Sequence, residues 1–339
     1  MSDTTLNATE SGMLADTRLH DIVVGVDGSD ESFAALRWAL NEASLTGQQV
    51  NAVFAWSHSW DMGSEPEDEE QWAEVRHEIA QRLRDWVSKA SQGMTINEDH
   101  VKLTSVKATG TSALLKIGKD AQQIVVGRRS LGRVARWFLG SLSESLAEAA
   151  QVPVTIVRIL DDEESSVQDA IANALTPSEN TVTYDLPGSP LPKNQRPIVV
   201  GVDGSETSRH ALRFAIDLAA LHHAPLQVMF CWQLKDLGVI EGYENAIAPI
   251  AVGQERAERI LDELLDSVEI PTAGIPDDFQ IESHAFHISA AKGLIAVIPV
   301  THRHLVVGSP WIVRLGRAFL GSVSKQIVNF ADCTVTVVH

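Results

Sequence analysis

Arg128, Arg129, Arg133 and Arg136 fall within Val125 to Ser143, a stretch with no acidic residue in a chain whose formal net charge is −18. The same stretch carries Gly127 at the end of an apolar run. After two intervening residues comes Ser130, then nine residues, then Gly140 and Ser141 ahead of a helical pattern. The chemistry these types offer is anion capture. Glycine at Gly127 lets the chain turn tightly and brings main-chain amides close to a ligand. Gly140 precedes a helix whose first amides have no internal partner and whose dipole favours negative charge. Ser141 and Ser143 add hydroxyl donors, and the arginines make a local positive well fit for a triphosphate. Each part also has a reading without a ligand: Ser141 with Glu144 forms a capping box, and Gly127 can be only the turn that ends a strand.

Those groups must be held by strands and helices. Ile22 to Val26 is a continuous β-branched run, as in a strand buried on both faces of a parallel sheet. Ser29 to Ala43 has helical spacing at Phe33, Leu36, Ala39 and Leu40. Further strands are expected at Val50 to Trp56, Val101 to Ala108, Ile124 to Gly127 and Val154 to Val157. Further helices are expected at Glu67 to Ala90, Ser112 to Lys119 and Ser141 to Ala150. Strand and helix thus alternate, as in a doubly wound α/β sheet, which binds ligands beyond the carboxyl ends of its strands at the switch point. That rule brings Asp27 and Gly127 to one edge.

The pattern occurs twice. Ile22 to Ser29 (IVVGVDGS) recurs letter for letter as Ile198 to Ser205, an offset of 176 that also relates Trp56 to Trp232. Val125-Val126-Gly127 and Phe138-Leu139-Gly140-Ser141 recur 181 positions on, as Val306-Val307-Gly308 and Phe319-Leu320-Gly321-Ser322. The fold expected is two tandem, doubly wound, five-stranded parallel-sheet (Rossmann-like) domains. They occupy residues 20–160 and 196–339, after a polar tail 1–19 and around an acidic, proline-rich linker 161–195 in which Ser166 to Leu175 is a candidate short helix. The long helix of the second copy is expected at Glu255 to Val268.

Bulk properties exclude whole classes. An acidic chain repels nucleic acid and anionic membrane outside local positive clusters. No apolar run approaches the ~18 residues of a membrane helix, and the polar N-terminal twenty residues are not expected to act as a signal peptide. Two cysteines, Cys231 and Cys333, with no metal spacing, suit a reducing cytoplasm. GxxxxGK[ST], GxGxxG after the first strand, GxSxG and zinc spacings are all missing, which argues against P-loop, NAD, hydrolase and metal chemistry.

The glycine spacing, with an opening strand that ends Val-Asp-Gly-Ser, closely resembles the universal stress protein family. Its nucleotide motif is Gly, two residues, Gly, nine residues, Gly, then Ser or Thr. The resemblance covers nearly all of both copies and implies ATP, alone or with Mg, as the ligand. It implies contacts from Gly25, Val26 and Asp27 to adenine or ribose, and from Ala55 through its backbone. Val126, Gly127, Arg129 and Ser130, then Gly140, Ser141, Leu142 and Ser143, would form the phosphate loop. In the second copy Val202, Asp203, Cys231, Gly308, Gly321, Ser322, Val323 and Ser324 take the matching places.

The chain departs from the family motif at two points. Ser130 replaces the motif's second glycine, and Trp311 after Pro310 replaces it in the second copy, where the proline has no amide to give. The second copy is therefore either a second nucleotide site or a degenerate, structural partner. The resemblance implies a nucleotide-dependent regulator of stress or growth rather than an enzyme. A nucleotide-free scaffold and a slow ATPase are the rivals. It also implies that the two copies pair through their last strands as an intrachain pseudo-dimer, with further homodimerisation open.

Overall fold

The computed structural model describes residues 20–56, 68–128, 142–159, 196–270, 279–297, 304–310, 312–314 and 317–339. The tail, the linker with its candidate helix, and Arg129 to Ser141 lie outside the described residues.

Copy 1 runs β1 (Ile22–Gly25), α1 (Asp30–Thr46), β2 (Val50–Trp56), α2 (Glu69–Ala90), β3 (Val101–Lys107), α3 (Gly110–Ile117), β4 (Gln123–Gly127), α4 (Leu142–Ala149) and β5 (Val154–Val157). Copy 2 runs β6 (Ile198–Val202), α5 (Glu206–Leu221), β7 (Leu226–Trp232), α6 (Ile250–Asp266), β8 (Ile281–His287) and α7 (Ala290–Val297). It continues with β9 (His304–Gly308), β10 (Ile312–Arg314), β11 (Arg317–Phe319), α8 (Ser322–Phe330) and β12 (Thr334–Val338).

The local chemistry accounts for these bounds. Ser29 caps α1 by accepting from the Ser32 amide, and Gly47 ends it in the left-handed conformation. Asp68 caps α2, and Glu69 and Glu70 fill its acidic first turn, where the helix dipole favours negative charge. The long helix of copy 2 begins five positions before the expected Glu255, because Pro249 stands at the N-cap with its preset φ and Ile250 to Gly253 continue into helix. The hairpin β10–β11 was not expected from the sequence at all.

The strands join in one ten-stranded sheet, ordered β3-β2-β1-β4-β5-β12-β9-β6-β7-β8. All neighbours are parallel except β5 and β12, which pair antiparallel with Val335 opposite Ile156 and Thr336 opposite Thr155. The two copies are thus continuous through their last strands. One apolar layer spans both, from Val23, Leu114 and Leu146 to Val199, Leu294 and Ile327. On the other face each copy has its own cluster, around Leu36, Leu40 and Leu83 in copy 1 and Leu212, Trp232 and Leu261 in copy 2, and Trp38 packs against both. Each fully buried Leu or Ile contributes about 1.5–3 kcal/mol, so the shared layer makes the seam part of the core.

Candidate functional site

In copy 1 the strand order turns back at β1, which pairs with β2 on one side and β4 on the other. The chain leaves β1 through Val26, buried, whose amide donates to Val53 O at 2.9 Å. Asp27 follows, exposed at the rim. Its Oδ1 accepts from the Ser29 amide at 3.0 Å, and its own amide donates to Ser32 Oγ at 3.3 Å. Gly28 takes φ 85°, a left-handed conformation where a Cβ would also lie 2.6 Å from the Trp86 ring. Copy 2 repeats the device: Asp203 Oδ1 accepts from Ser205 N at 3.0 Å, and Gly204 has φ 81°. The helix cap is Ser29, and Asp27 braces the turn that presents it. Ser32 and Ser208, absent from the sequence reading, lock this turn by donating to Ser29 O and Ser205 O, each at 2.8 Å. The signal for them was a Ser-x-x-Ser spacing present in both copies.

Gly127 ends β4 without a positive φ, so a left-handed turn is not what requires glycine there. A Cβ on it would lie 2.2 Å from Glu31 O and 2.9 Å from Ser32 N. The strand end lies directly against the first turn of α1. Gly308 does the same in copy 2, 2.8 Å from Thr207 O. This close approach is what brings the Asp27 turn and the end of β4 together. Ala55 sits beside them near the end of β2, paired with Val106, and Gly25 packs on Leu114. Val126 is buried in β4, Leu142 opens α4 half exposed, and Ser143 is buried one residue on. Arg129, Ser130, Gly140 and Ser141 lie outside the described residues.

Copy 2 shows what its own helix entrance does. Ser309, fully buried, accepts the Gly321 amide on Oγ at 3.2 Å. Ser324 Oγ donates to Gly308 O at 3.1 Å. Between them β10 and β11 fold on each other with Arg314 opposite Arg317. An amide that would greet an anion is therefore already bonded to the protein's own hydroxyl. Ser322 is exposed and Val323 packs partly against the shared core. Val202 and Cys231 are buried, and a Cβ on Gly293 would come within 2.6 Å of Cys231 Sγ. Burial pushes the Cys231 thiol up to about 11, which leaves it protonated and unreactive at neutral pH.

One expected member of the positive well points elsewhere. The Arg128 guanidinium donates to Ala331 O at 3.0 Å and to Asn329 O, at the carboxyl end of α8 in the other copy. The last carbonyls of a helix lack internal partners and carry the negative end of its dipole. They claim this cation, which a reading of sequence clustering assigned to phosphate. Among the described residues no group of His, Cys, Asp and Glu is arranged to hold a metal ion, and no helix is long and apolar enough to cross a membrane.

A duplicated, doubly wound α/β protein with an acidic turn and a glycine strand end meeting at each switch point defines the class. The chain belongs to the universal stress protein family, whose profile matches residues 19–158 and 195–339. A universal stress protein of Mycolicibacterium smegmatis is 29% identical over 327 residues, covering 94% of this chain and 97% of that one. The crystal structure of a universal stress protein from Archaeoglobus fulgidus shares the fold with TM-score 0.58 at 15% identity, covering 95% of this chain and 98% of its own. A universal stress protein solved in complex with cAMP aligns with a single copy, 41% of this chain and 97% of its own, at 24% identity and TM-score 0.32.

Proposed function

We propose that this protein binds ATP, alone or with Mg, at the carboxyl edge of copy 1 and works in the cytoplasm as a nucleotide-dependent regulator of stress or growth. One observation carries the reading: in copy 1 the exposed Asp27 turn and the end of β4 are held against each other at the switch point, where sheets of this kind take ligands. Gly25, Val26, Asp27 and Ala55 would face adenine and ribose. Val126, Gly127, Arg129 and Ser130, with Gly140, Ser141, Leu142 and Ser143, would face phosphate. Copy 2 fits the other role, that of a structural partner, because Ser309 already occupies the Gly321 amide. The matching positions Val202, Asp203, Cys231, Gly308, Gly321, Ser322, Val323 and Ser324 then serve that copy's own fold.

Calorimetric titration with ATP tests both parts. The expected result is one nucleotide per chain, lost in Gly140→Glu, which sets a carboxylate where phosphate would lie. Ligand at 100 times its dissociation constant should stabilise the fold by roughly 2.7 kcal/mol. No heat of binding and unchanged thermal unfolding at about 1 mM ATP would leave a scaffold as the function. Two nucleotides per chain would refute the closed second copy. Multiple-turnover phosphate release that disappears in Asp27→Ala would instead assign an ATPase.

A further inference from the structure

The two copies meet across an approximate twofold axis. It passes between Thr155 and Thr336, which face each other in the antiparallel register, stand 181 positions apart and have hydroxyls 2.7 Å apart. Near such an axis a residue faces its own counterpart. In a symmetric dimer that would set like against like. Here the counterparts differ in sign. Glu144 and Lys325 are 181 positions apart, and their side chains meet, Nζ to Oε1 at 2.5 Å, with Glu148 Oε1 3.9 Å from the same ammonium. The Glu144 side chain is 10% exposed, so its charge sits inside the seam.

Further polar contacts across the seam, among the described residues, have no mirror image. Arg128 and Arg158 of copy 1 both donate to Ala331 O, each at 3.0 Å, and Arg158 pairs with Asp332 at 2.5 Å. The counterparts of those arginines in copy 2 are Ser309 and His339, and the counterpart of Asp332 in copy 1 is Gln151. On the α1 side of the sheet Glu42 meets His222 Nε2 at 2.5 Å, with side chains 3% and 6% exposed. Their counterparts at the 176 offset are Leu218 and Thr46.

We propose that this seam is a docking surface selective for the unlike copy: copy 1 accepts copy 2 and rejects a second copy 1, and copy 2 likewise rejects itself. Pairing copy 1 with itself would gather two Glu144 and two Glu148 side chains with no ammonium between them. It would also bury two Glu42 carboxylates against Thr46, and an unpaired buried charge is strongly unfavourable. Pairing copy 2 with itself would set Lys325 against Lys325 and leave the carboxyl end of α8 without its two guanidinium donors. The duplication therefore made a dedicated partner for copy 1. Whole chains therefore cannot associate by setting like copies together at β5 or β12.

The test uses the full chain with a protease site inserted between residues 161 and 195. The cut protein is unfolded in urea, refolded by dilution and weighed by native mass spectrometry. Only the unlike pair, at the mass of the whole chain, is expected. Three kinds of pair in random proportion would overturn the proposal. A cycle in the uncut chain reads the same code without separating the halves. Glu144→Lys and Lys325→Glu should each lower the folding equilibrium constant about threefold to tenfold. The exchange Glu144→Lys with Lys325→Glu should restore it to within about twofold. Single variants without effect, or an exchange whose losses simply add, would overturn it.

Discussion

Gly127→Ala is the sharpest perturbation the structure offers, because its twin in copy 2 supplies an internal control. Ordinary contact for a Cβ begins at 3.4 Å, and the one added at Gly127 would sit 2.2 Å from Glu31 O and 2.4 Å from Glu31 C. Both obstacles are backbone, so no side chain can swing aside. The first turn of α1 must retreat by more than an ångström. At Gly308 the nearest atom is Thr207 O at 2.8 Å, and a retreat of little over half an ångström suffices.

Overpacking costs about 1–3 kcal/mol, and alanine recovers about 0.4–1 kcal/mol by restricting the unfolded chain. The net expectation is a loss of about 2 kcal/mol for Gly127→Ala and near zero to about 1 kcal/mol for Gly308→Ala. Urea unfolding followed by far-ultraviolet circular dichroism measures both. The displaced α1 turn carries Ser29 and the bond to Asp27, so Gly127→Ala should also weaken ATP binding at least tenfold, while Gly308→Ala leaves it unchanged. Equal costs at the two positions, or a neutral Gly127→Ala with full nucleotide affinity, would refute the argument that strand-end glycine exists here for helix approach.

Burial raises Cys231 to about 11 and Cys333 to about 12, where a nearby Asp332 adds to the burial effect. Neither thiol of the folded protein should react with a disulfide reagent at pH 8, and both should react in denaturant. Because the folded values lie above the unfolded one, the contribution is complete below pH 9 and fades as pH rises toward 11 and 12; a flat urea stability profile from pH 8 to 10.5 would contradict it. Thr155 Oγ1 donates its one proton to Gln123 Oε1, so it must accept from Thr336 Oγ1, which must accept from His304 Nε2. Nitrogen NMR should therefore find His304 protonated at Nε2; a proton on Nδ1 alone would mean the chain runs the other way, with the Gln123 amide reversed.

The sheet was legible because its strands are short β-branched runs that recur, and repetition separates a pattern from chance. IVVG at Ile22 and again at Ile198 fits a strand buried on both faces. Bounds slipped where one residue overrode periodicity, as at Pro249, which starts α6 ahead of its regular apolar face. Charge was less legible than hydrophobicity. Arg128 adjoins Arg129 in sequence, yet its target lies about 200 positions away, at the end of a helix in the other copy. Linear clustering records how many charges a segment has and not which way a side chain turns. Ser309 escaped for a related reason: a serine after a strand looks like any turn residue until its hydroxyl is seen on Gly321 N.

The same duplication explains why the copies drifted in different directions. After a gene doubles, a twofold seam is free to become directional, since a change on one side no longer appears on the other. A lysine at position 325 would be self-repelling in a symmetric dimer but is complementary once Glu144 stands opposite it. A buried carboxylate such as Glu42 becomes tolerable only when a histidine can be fixed against it and nowhere else. The Asp-Gly-Ser turns resisted this drift because Gly28 and Gly204 hold φ 85° and 81°, and Gly127 because a Cβ there collides with the Glu31 backbone. The helix entrance of copy 2 did not resist it: there the Ser309 hydroxyl takes the Gly321 amide, a change that costs no binding if copy 1 holds the ligand as proposed. On this view, reopening copy 2 takes removal of the Ser309 hydroxyl and of Pro310 together. Ser309→Gly with Pro310→Gly should raise the nucleotide count per chain above one. If the count stays at one, the hairpin from Ile312 to Phe319 is the barrier, and the hydroxyl only follows it.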